Sequence, residues 1–142
     1  METIIREISP EDTFALMPLT RQLGYELSEQ QTRESINYIL HNKEHCAYVA
    51  VQNGIVLGWI QAFIAVRLES KFIEISGLVV DESARGTGIG KKLTAKVCEW
   101  GADKQCETLR VRCNVKRTES HKFYEKLGFT ENKQQKVFHI DL

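Results

Sequence analysis

Apolar positions along the chain fall into two periods, and each change of period marks a predicted element. Residues 3–8 open as a short β-rich strand. Ser9-Pro10-Glu11-Asp12 then supplies an N-cap serine and a first-turn proline, which predicts a helix running toward Gly24. Ser28 and Gln31 form a capping-box pair before the apolar positions Ile36, Ile39 and Leu40, so a second helix follows. Residues 46–52 are β-rich. Asn53-Gly54 is a strong two-residue hairpin pattern, and 55–66 continues as a long strand with a bulge expected near Gly58. Residues 71–80 read as its antiparallel neighbour, with Gly77 marking a further irregularity. Ile89, Leu93, Val97 and Trp100 fall on one helical stripe while Lys92, Lys96, Glu99 and Asp103 take other faces, so an amphipathic helix begins at Gly88. A strand over 108–114 alternates Leu109, Val111 and Cys113 on one side. A helix over 118–127 stops at Gly128, and closing strands are expected near Phe129 and Val137.

The junction between the strand Leu78-Val79-Val80 and the helix is rich in glycine: Arg85-Gly86-Thr87-Gly88-Ile89-Gly90-Lys91. Glycines at a helix start let the backbone approach a ligand, and the unpaired amides there favour an anion. Two familiar phosphate motifs are excluded by spacing. The dinucleotide fingerprint Gly-x-Gly-x-x-Gly fails because Lys91 and Leu93 stand where its last glycine is required. A nucleoside-triphosphate loop needs a glycine where Arg85 stands and a Ser or Thr where Lys92 stands. On these residues alone the segment is either a tight strand-to-helix turn or a cradle for a diphosphate.

A second pattern lies downstream, from Asn114 through Phe123-Tyr124-Glu125-Lys126-Leu127-Gly128-Phe129. Arg85-x-x-Gly88-x-Gly90 after an apolar strand, Asn114 at the end of the next, and this aromatic segment beyond it together resemble the GNAT superfamily of acetyl-CoA-dependent N-acetyltransferases, over about residues 73–129. The resemblance implies an α+β fold, a three-layer sandwich whose mixed sheet splays between the strand ending at Val80 and the strand ending at Asn114. It implies acetyl-CoA as cosubstrate, with its pantetheine arm in the opening. The segment Leu78, Val79 and Val80 would face that arm, the backbone of Leu78 and Val80 pairing with the pantetheine and the thioester carbonyl. Amides from Arg85, Gly86, Thr87, Gly88, Ile89, Gly90 and Lys91 would hold the pyrophosphate, with Asn114 beside the pantetheine and Arg117 toward the nucleotide. Lys92 would add charge nearby.

The reaction sets its own requirements. A primary amine with a pKa of about 10.4 costs roughly 4–5 kcal/mol to deprotonate at pH 7, so a base is needed, and the resemblance points to Glu74 or a water relay beside it. The coenzyme leaves as a thiolate, and Tyr124 matches the family tyrosine that protonates the sulfur. Each residue also has a purely structural reading. Glu74 would be a solvated strand residue paired with Lys71 or Arg110, Tyr124 a packing residue beside Leu127, Asn114 a strand-end cap, and Arg85 a brace for the turn. His121 fits either a site or a helix surface. Tyr25, Glu26, Glu34 and Tyr38 fit either an acidic, aromatic acceptor pocket or ordinary helix packing with a solvated face.

Composition narrows the partners rather than the chemistry. The chain has 142 residues, 42% of them hydrophobic and 27% charged, with a formal net charge of zero; it is expected to form a single N-acetyltransferase domain over 1–142, with no repeat or linker. Lys and Arg alternate with acids, which argues against a nucleic-acid partner. Cys46, Cys98, Cys106 and Cys113 lack a Cys-x-x-Cys spacing, so reduced thiols are expected and no metal. Neither a leader-like apolar core at the N-terminus nor a membrane-length run is present, which places the expectation in the cytoplasm with no membrane partner. The acceptor is expected to be a small-molecule amine. Alternatives are a protein N-terminus or lysine as acceptor, or a non-catalytic acyl-CoA-binding module, in a monomer or a homodimer.

Overall fold

Two capping boxes fix where the first helices begin. Ser9 Oγ accepts from Glu11 N at 3.3 Å and Asp12 Oδ2 accepts from Ser9 N at 2.8 Å. Ser28 and Gln31 exchange the equivalent pair at 3.1 and 2.8 Å. The computed structural model describes residues 2–142, which cluster into two compact units, one ending at Val111 and one running Arg112–Leu142.

In the first unit, strand β1 (Ile4–Glu7) leads through a 3₁₀ turn (Pro10–Asp12) into α1 (Thr13–Arg21) and α2 (Glu29–Leu40). Strands β2 (His45–Gln52), β3 (Ile55–Val66) and β4 (Lys71–Val80) follow, then a 3₁₀ turn (Glu82–Ala84), α3 (Ile89–Asp103) and β5 (Leu109–Val111). The sheet runs in the order β1-β2-β3-β4-β5, antiparallel except for the final parallel pair. Alternation along β2 and β3 sends Val49 and its partner Trp59 to one face, Ala50 and its partner Gly58 to the other. The first face meets α1 and α2 in a core of Ile8, Leu16, Ile36, Ile39, Ala47, Val49 and Val51. On the second face, a Cβ added to Gly58 would lie 3.4 Å from Leu93 and 3.5 Å from Ile89 of α3. This unit is therefore a three-layer α+β sandwich around a mixed sheet.

Asp12 is the buried charge of this unit. Its carboxylate accepts both guanidinium nitrogens of Arg6 at 2.9 and 2.7 Å as well as the Ser9 amide. Burial raises its pKa, and the Arg6 and Ser9 hydrogen bonds more than offset that, so the net shift is downward.

Both expected irregularities occur. The β2–β3 register slips opposite Ala50 and Val51, next to Gly58, and the β3–β4 register slips between Gln61 and Ala62, which leaves Ser76 as the extra residue of β4. The final expected strands do not form as drawn. The strand expected over 108–114 is confined to Leu109–Val111, because Asn114 Oδ1 accepts from Lys116 N at 2.9 Å and closes a local turn in place of a ladder rung. Residues 129–142 form neither helix nor strand, and Val137, Phe138, Ile140 and Leu142 are exposed; alternation without a neighbouring strand to pair with does not make a strand. The second unit contains one helix, α4 (Thr118–Lys126), followed by Gly128 at φ +98°. All cysteines are free: Cys46 is buried, Cys106 and Cys113 half-buried and Cys98 exposed. No described helix is long and apolar enough to cross a membrane.

Candidate active site

The bulge at Ser76 organises β4. Without it Glu74 and Leu78, four apart, would share a face. With it, Glu74 pairs with Phe63 and Gly77 with Gln61 on the α1/α2 side, while Leu78 pairs with Ile60 on the α3 side. The Asp81 amide donates to Leu57 O on β3 at 2.8 Å. Alternation then aims the Leu78 and Val80 amides the opposite way, toward the β5 side, whereas the Val79 backbone points to β3. On that β5 side the ladder consists of Ile73–Leu109, Glu74–Arg110 and Ile75–Val111. Among the described residues no strand rung continues from Ser76 to Val80, so the upper half of β4 presents unpaired amides along an open edge, the opening expected for a splayed sheet.

The strand leads into the glycine turn. Gly86 and Gly88 hold φ +78° and +90°, with nothing within 4 Å of either added Cβ, so backbone conformation rather than space requires glycine there. Gly88 is the N-cap of α3 and offers no side-chain cap. The first helical bond runs from Lys92 N to Gly88 O at 3.1 Å, which leaves the amides of Ile89, Gly90 and Lys91 without an intrahelical acceptor. Three amides at the positive end of a fifteen-residue helix, beside the exposed residues Arg85, Gly86, Thr87 and Lys91, fit a diphosphate. Arg85 braces this turn: its Nε donates to Val80 O at 3.1 Å and its Nη2 to Gln22 Oε1 at 3.3 Å. Gln22 also donates to Asp81 Oδ1 at 2.8 Å. Asp81 accepts from the Ser83 hydroxyl and backbone as well, and these bonds hold its pKa below the usual carboxylate range. Thr87 Oγ1 donates to Ala84 O at 2.5 Å.

Glu74 is half-buried, flanked across the sheet by Phe63 and Arg110. The Arg110 guanidinium itself lies over the Phe72 ring, 4.1 Å from its centroid. Trp59 covers Gly77, where an added Cβ would come 2.6 Å from its ring. The Trp59 Nε1 is buried without a hydrogen-bond partner among the described residues. Neither this residue nor Gln22 carries a mark in the sequence; a Trp opposite a Gly becomes visible only once the register is known. The described residues hold no group of His, Cys, Asp and Glu suited to a metal ion.

In the second unit, Asn114, Arg117 and His121 are organised around one turn. The Asn114 side chain caps the turn through Lys116 N, and its carbonyl accepts from Arg117 N at 3.0 Å. His121 Nε2 lies 2.9 Å from the same carbonyl, which makes it a clasp for this turn. Arg117 is exposed at the N-cap of α4. The Tyr124 ring stands edge-on to Phe123 and Phe129, with centroids 5.1 and 5.5 Å away. Burial pushes its phenol up to about 12, with Cys113 adding to the rise and Arg117 opposing it.

Residues 5–129 match the model of the Acetyltransferase (GNAT) family. The chain belongs to the GNAT acetyltransferase family. It is accordingly an acetyltransferase with acetyl-CoA as its cosubstrate. It is 30% identical to the aminoalkylphosphonate N-acetyltransferase of Salmonella typhimurium over 131 residues, 90% of this chain and 85% of that protein. To the aminoglycoside N(6')-acetyltransferase type 1 of the same organism it is 28% identical over 101 residues, 68% of this chain and 70% of that one. Among solved structures, the aminoglycoside acetyltransferase AAC(6')-Iy in complex with a CoA-based bisubstrate analogue superposes with a TM-score of 0.89 at 22% identity, over 100% of both chains. The likeness to that structure establishes the GNAT fold for this chain.

Proposed function

We propose that this protein transfers the acetyl group of acetyl-CoA to a primary amine of a small molecule by direct attack in a ternary complex, within one domain that spans both units. The family match runs across the boundary at Val111, and the two relatives above are named for small-molecule amines. The observation that carries the reading is the bulge at Ser76, which sends Glu74 to the α2 face and turns the Leu78 and Val80 amides to the open edge of the same strand. A base and an oxyanion donor thus come from two halves of one element.

In this reading the amine nitrogen attacks the thioester carbonyl carbon. The C–N bond forms, the Leu78 and Val80 amides meet the charge that develops on oxygen, and the nitrogen's proton passes to Glu74 directly or through one water. The C–S bond then breaks and the sulfur receives a proton from Tyr124. A phenol held at about 12 is a weak acid toward a thiolate near 8.5, so complete transfer lies roughly 5 kcal/mol uphill. Tyr124 therefore acts mainly as a hydrogen-bond donor to the departing sulfur, its proton following late. The amides of residues 86–91 bind the diphosphate, with Lys91, Lys92 and Arg117 adding charge at its rim, and Asn114 offers its remaining amide hydrogens to the pantetheine.

The test is coenzyme release from acetyl-CoA with a panel of small amines, protein N-terminal peptides and lysine peptides, repeated for Glu74→Gln. The reading expects turnover of a small amine, a kcat about 100-fold lower in the variant, and unchanged acetyl-CoA affinity. Turnover of peptides alone would transfer the activity to proteins. Tight acetyl-CoA binding without any turnover would leave a binding module, and a kcat within twofold of wild type in Glu74→Gln would remove that residue from catalysis.

A further inference from the structure

Helix α1 ends at Gln22, whose backbone amide donates to Leu19 O at 3.1 Å. Leu16 and Leu19 are buried, so this helix end is anchored in the core. From that base the half-buried Gln22 side chain reaches two residues far along the chain. Its Nε2 donates to Asp81 Oδ1 at 2.8 Å, and its Oε1 accepts from Arg85 Nη2 at 3.3 Å, partners 59 and 63 residues away. A primary amide supplies both a donor and an acceptor. Turned over, it would set its oxygen against a carboxylate and its N–H against a guanidinium, so the two partners fix its orientation.

Those partners are the entry and the exit of one turn. Asp81 is the N-cap of the 3₁₀ turn Glu82–Ala84 and accepts from Ser83 N at 3.1 Å, and Arg85 is the C-cap. The glycine segment begins directly after it. Gly86, Thr87 and Gly88 are exposed, and nothing lies within 4 Å of a Cβ built on either glycine. Apart from the Thr87 bond to Ala84 O, the place of this segment is set by Arg85 at one end and the buried Ile89 at the other. Arg85 in turn donates from Nε to Val80 O at 3.1 Å. The N–H and C=O of one strand residue point to the same side, so this carbonyl shares the open edge with the Val80 amide. Asp81 carries the opposite charge and attracts Arg85. The Gln22 amide engages each of them with a neutral dipole, while Arg85 keeps a donor on Val80 O.

We infer that Gln22 is a positioning residue for coenzyme binding: it keeps Arg85 on the Val80 carbonyl and off Asp81, and so sets where the amides of residues 86–91 meet the diphosphate. The inference rests on the reading of those amides as the diphosphate cradle. Without the Gln22 amide, Arg85 is drawn onto the Asp81 carboxylate. Val80 O then loses its donor at the edge that receives the coenzyme, and the exit of the turn loses its tie to α1.

Calorimetric titration with CoA tests this. Gln22→Leu keeps similar bulk and removes both bonds, and is expected to raise the Kd about 10-fold. Gln22→Glu keeps an acceptor for Arg85 but sets a carboxylate against Asp81, and is expected to raise it about 5-fold. Adding Asp81→Asn to Gln22→Glu exchanges amide and carboxylate across the bridge. The amide now at position 81 donates to the carboxylate at position 22, and its oxygen still accepts from Ser83. The double variant is expected to bind CoA within twofold of wild type, a recovery that general loosening of the fold would not produce. Gly88→Ala probes the cradle separately, since φ +90° strains any side chain there, and is expected to raise the Kd about 10-fold. If Gly88→Ala weakens CoA while Gln22→Leu stays within twofold of wild type, the inference is overturned and the cradle stands. A double variant that binds no tighter than Gln22→Glu also overturns it. Unchanged affinity in Gly88→Ala removes the cradle reading and the inference with it. Should Gln22→Leu fail to fold, Gln22→Glu and the double variant decide alone.

Discussion

Gly77→Ala tests the geometry of the β4 bulge directly. The added Cβ would lie 2.6 and 2.7 Å from two ring carbons of Trp59. Apolar carbons settle at about 3.5 Å or more, so the indole must retreat by roughly 0.9 Å. Trp59 packs against the core formed by α1, α2 and β2, and its buried Nε1 has no hydrogen-bond partner among the described residues to guide it to a new seat. Overpacking of this kind costs about 1–3 kcal/mol, and replacing a strand glycine by alanine returns about 0.5–1 kcal/mol of backbone entropy. The expected net loss is about 1–2 kcal/mol. Urea denaturation measures it, and Trp59 emission in a Trp100→Phe background reports the shifted ring, since these are the two tryptophans of the chain. A double-mutant cycle isolates the cause: in a Trp59→Leu background, Gly77→Ala should become neutral or stabilising. An equal cost in both backgrounds would refute the argument that the indole is what forbids a side chain at Gly77.

Tyr124→Phe should lower kcat by about 100-fold and leave Tm nearly unchanged, because phenylalanine keeps the edge-on contacts to Phe123 and Phe129. The wild-type pH–rate profile should show no tyrosine limb below pH 10, since Tyr124 is held at about 12; a limb there that disappears in the variant would contradict that environment. The Cys46 thiol is pushed by burial from 9.0 up to about 12, partly opposed by a hydrogen bond from the Ala62 backbone. Its folded pKa exceeds the unfolded value, so its contribution is complete below about pH 9 and drains away as the pH rises toward 12, about 4 kcal/mol in all. Tyr48 and Tyr124, both at about 12, steepen the loss above pH 10. Cys46→Ala should flatten the stability curve between pH 9 and 10 in urea titrations, and an unaltered slope would rule out the thiol as its source.

The elements legible in the sequence are those set by local chemistry. Ser9 and Ser28 mark helix starts because their hydroxyls serve amides two or three residues away. Asn53 and Gly54 mark the hairpin because both adopt positive φ, 50° and 76°. Gly86 and Gly88 stand out for the same reason. What the sequence hides depends on partners distant along the chain. The slip at Ser76 decides which face Glu74 occupies, and Gly77 marks an irregularity there without saying that it turns Glu74 and Leu78 to opposite faces. The Arg85 brace requires Gln22, 63 residues away, and the Trp59 cover requires Gly77 across the sheet. The closing strands near 129 and 137 were expected from alternation, which describes a surface able to pair and says nothing about what it pairs with. Asn114 is a related case, a residue equally fitted to end a strand or to fold its own turn, and the turn prevails.

The extra residue in β4 also makes the strand modular. Its lower half, Ile73 to Ile75, is held between β3 and β5, while its upper half, Leu78 to Val80, pairs with β3 alone and leads into the turn before α3. Side chains on the lower half can therefore drift toward a new molecule without rotating the backbone of the upper half, so one scaffold can change customers while keeping its currency.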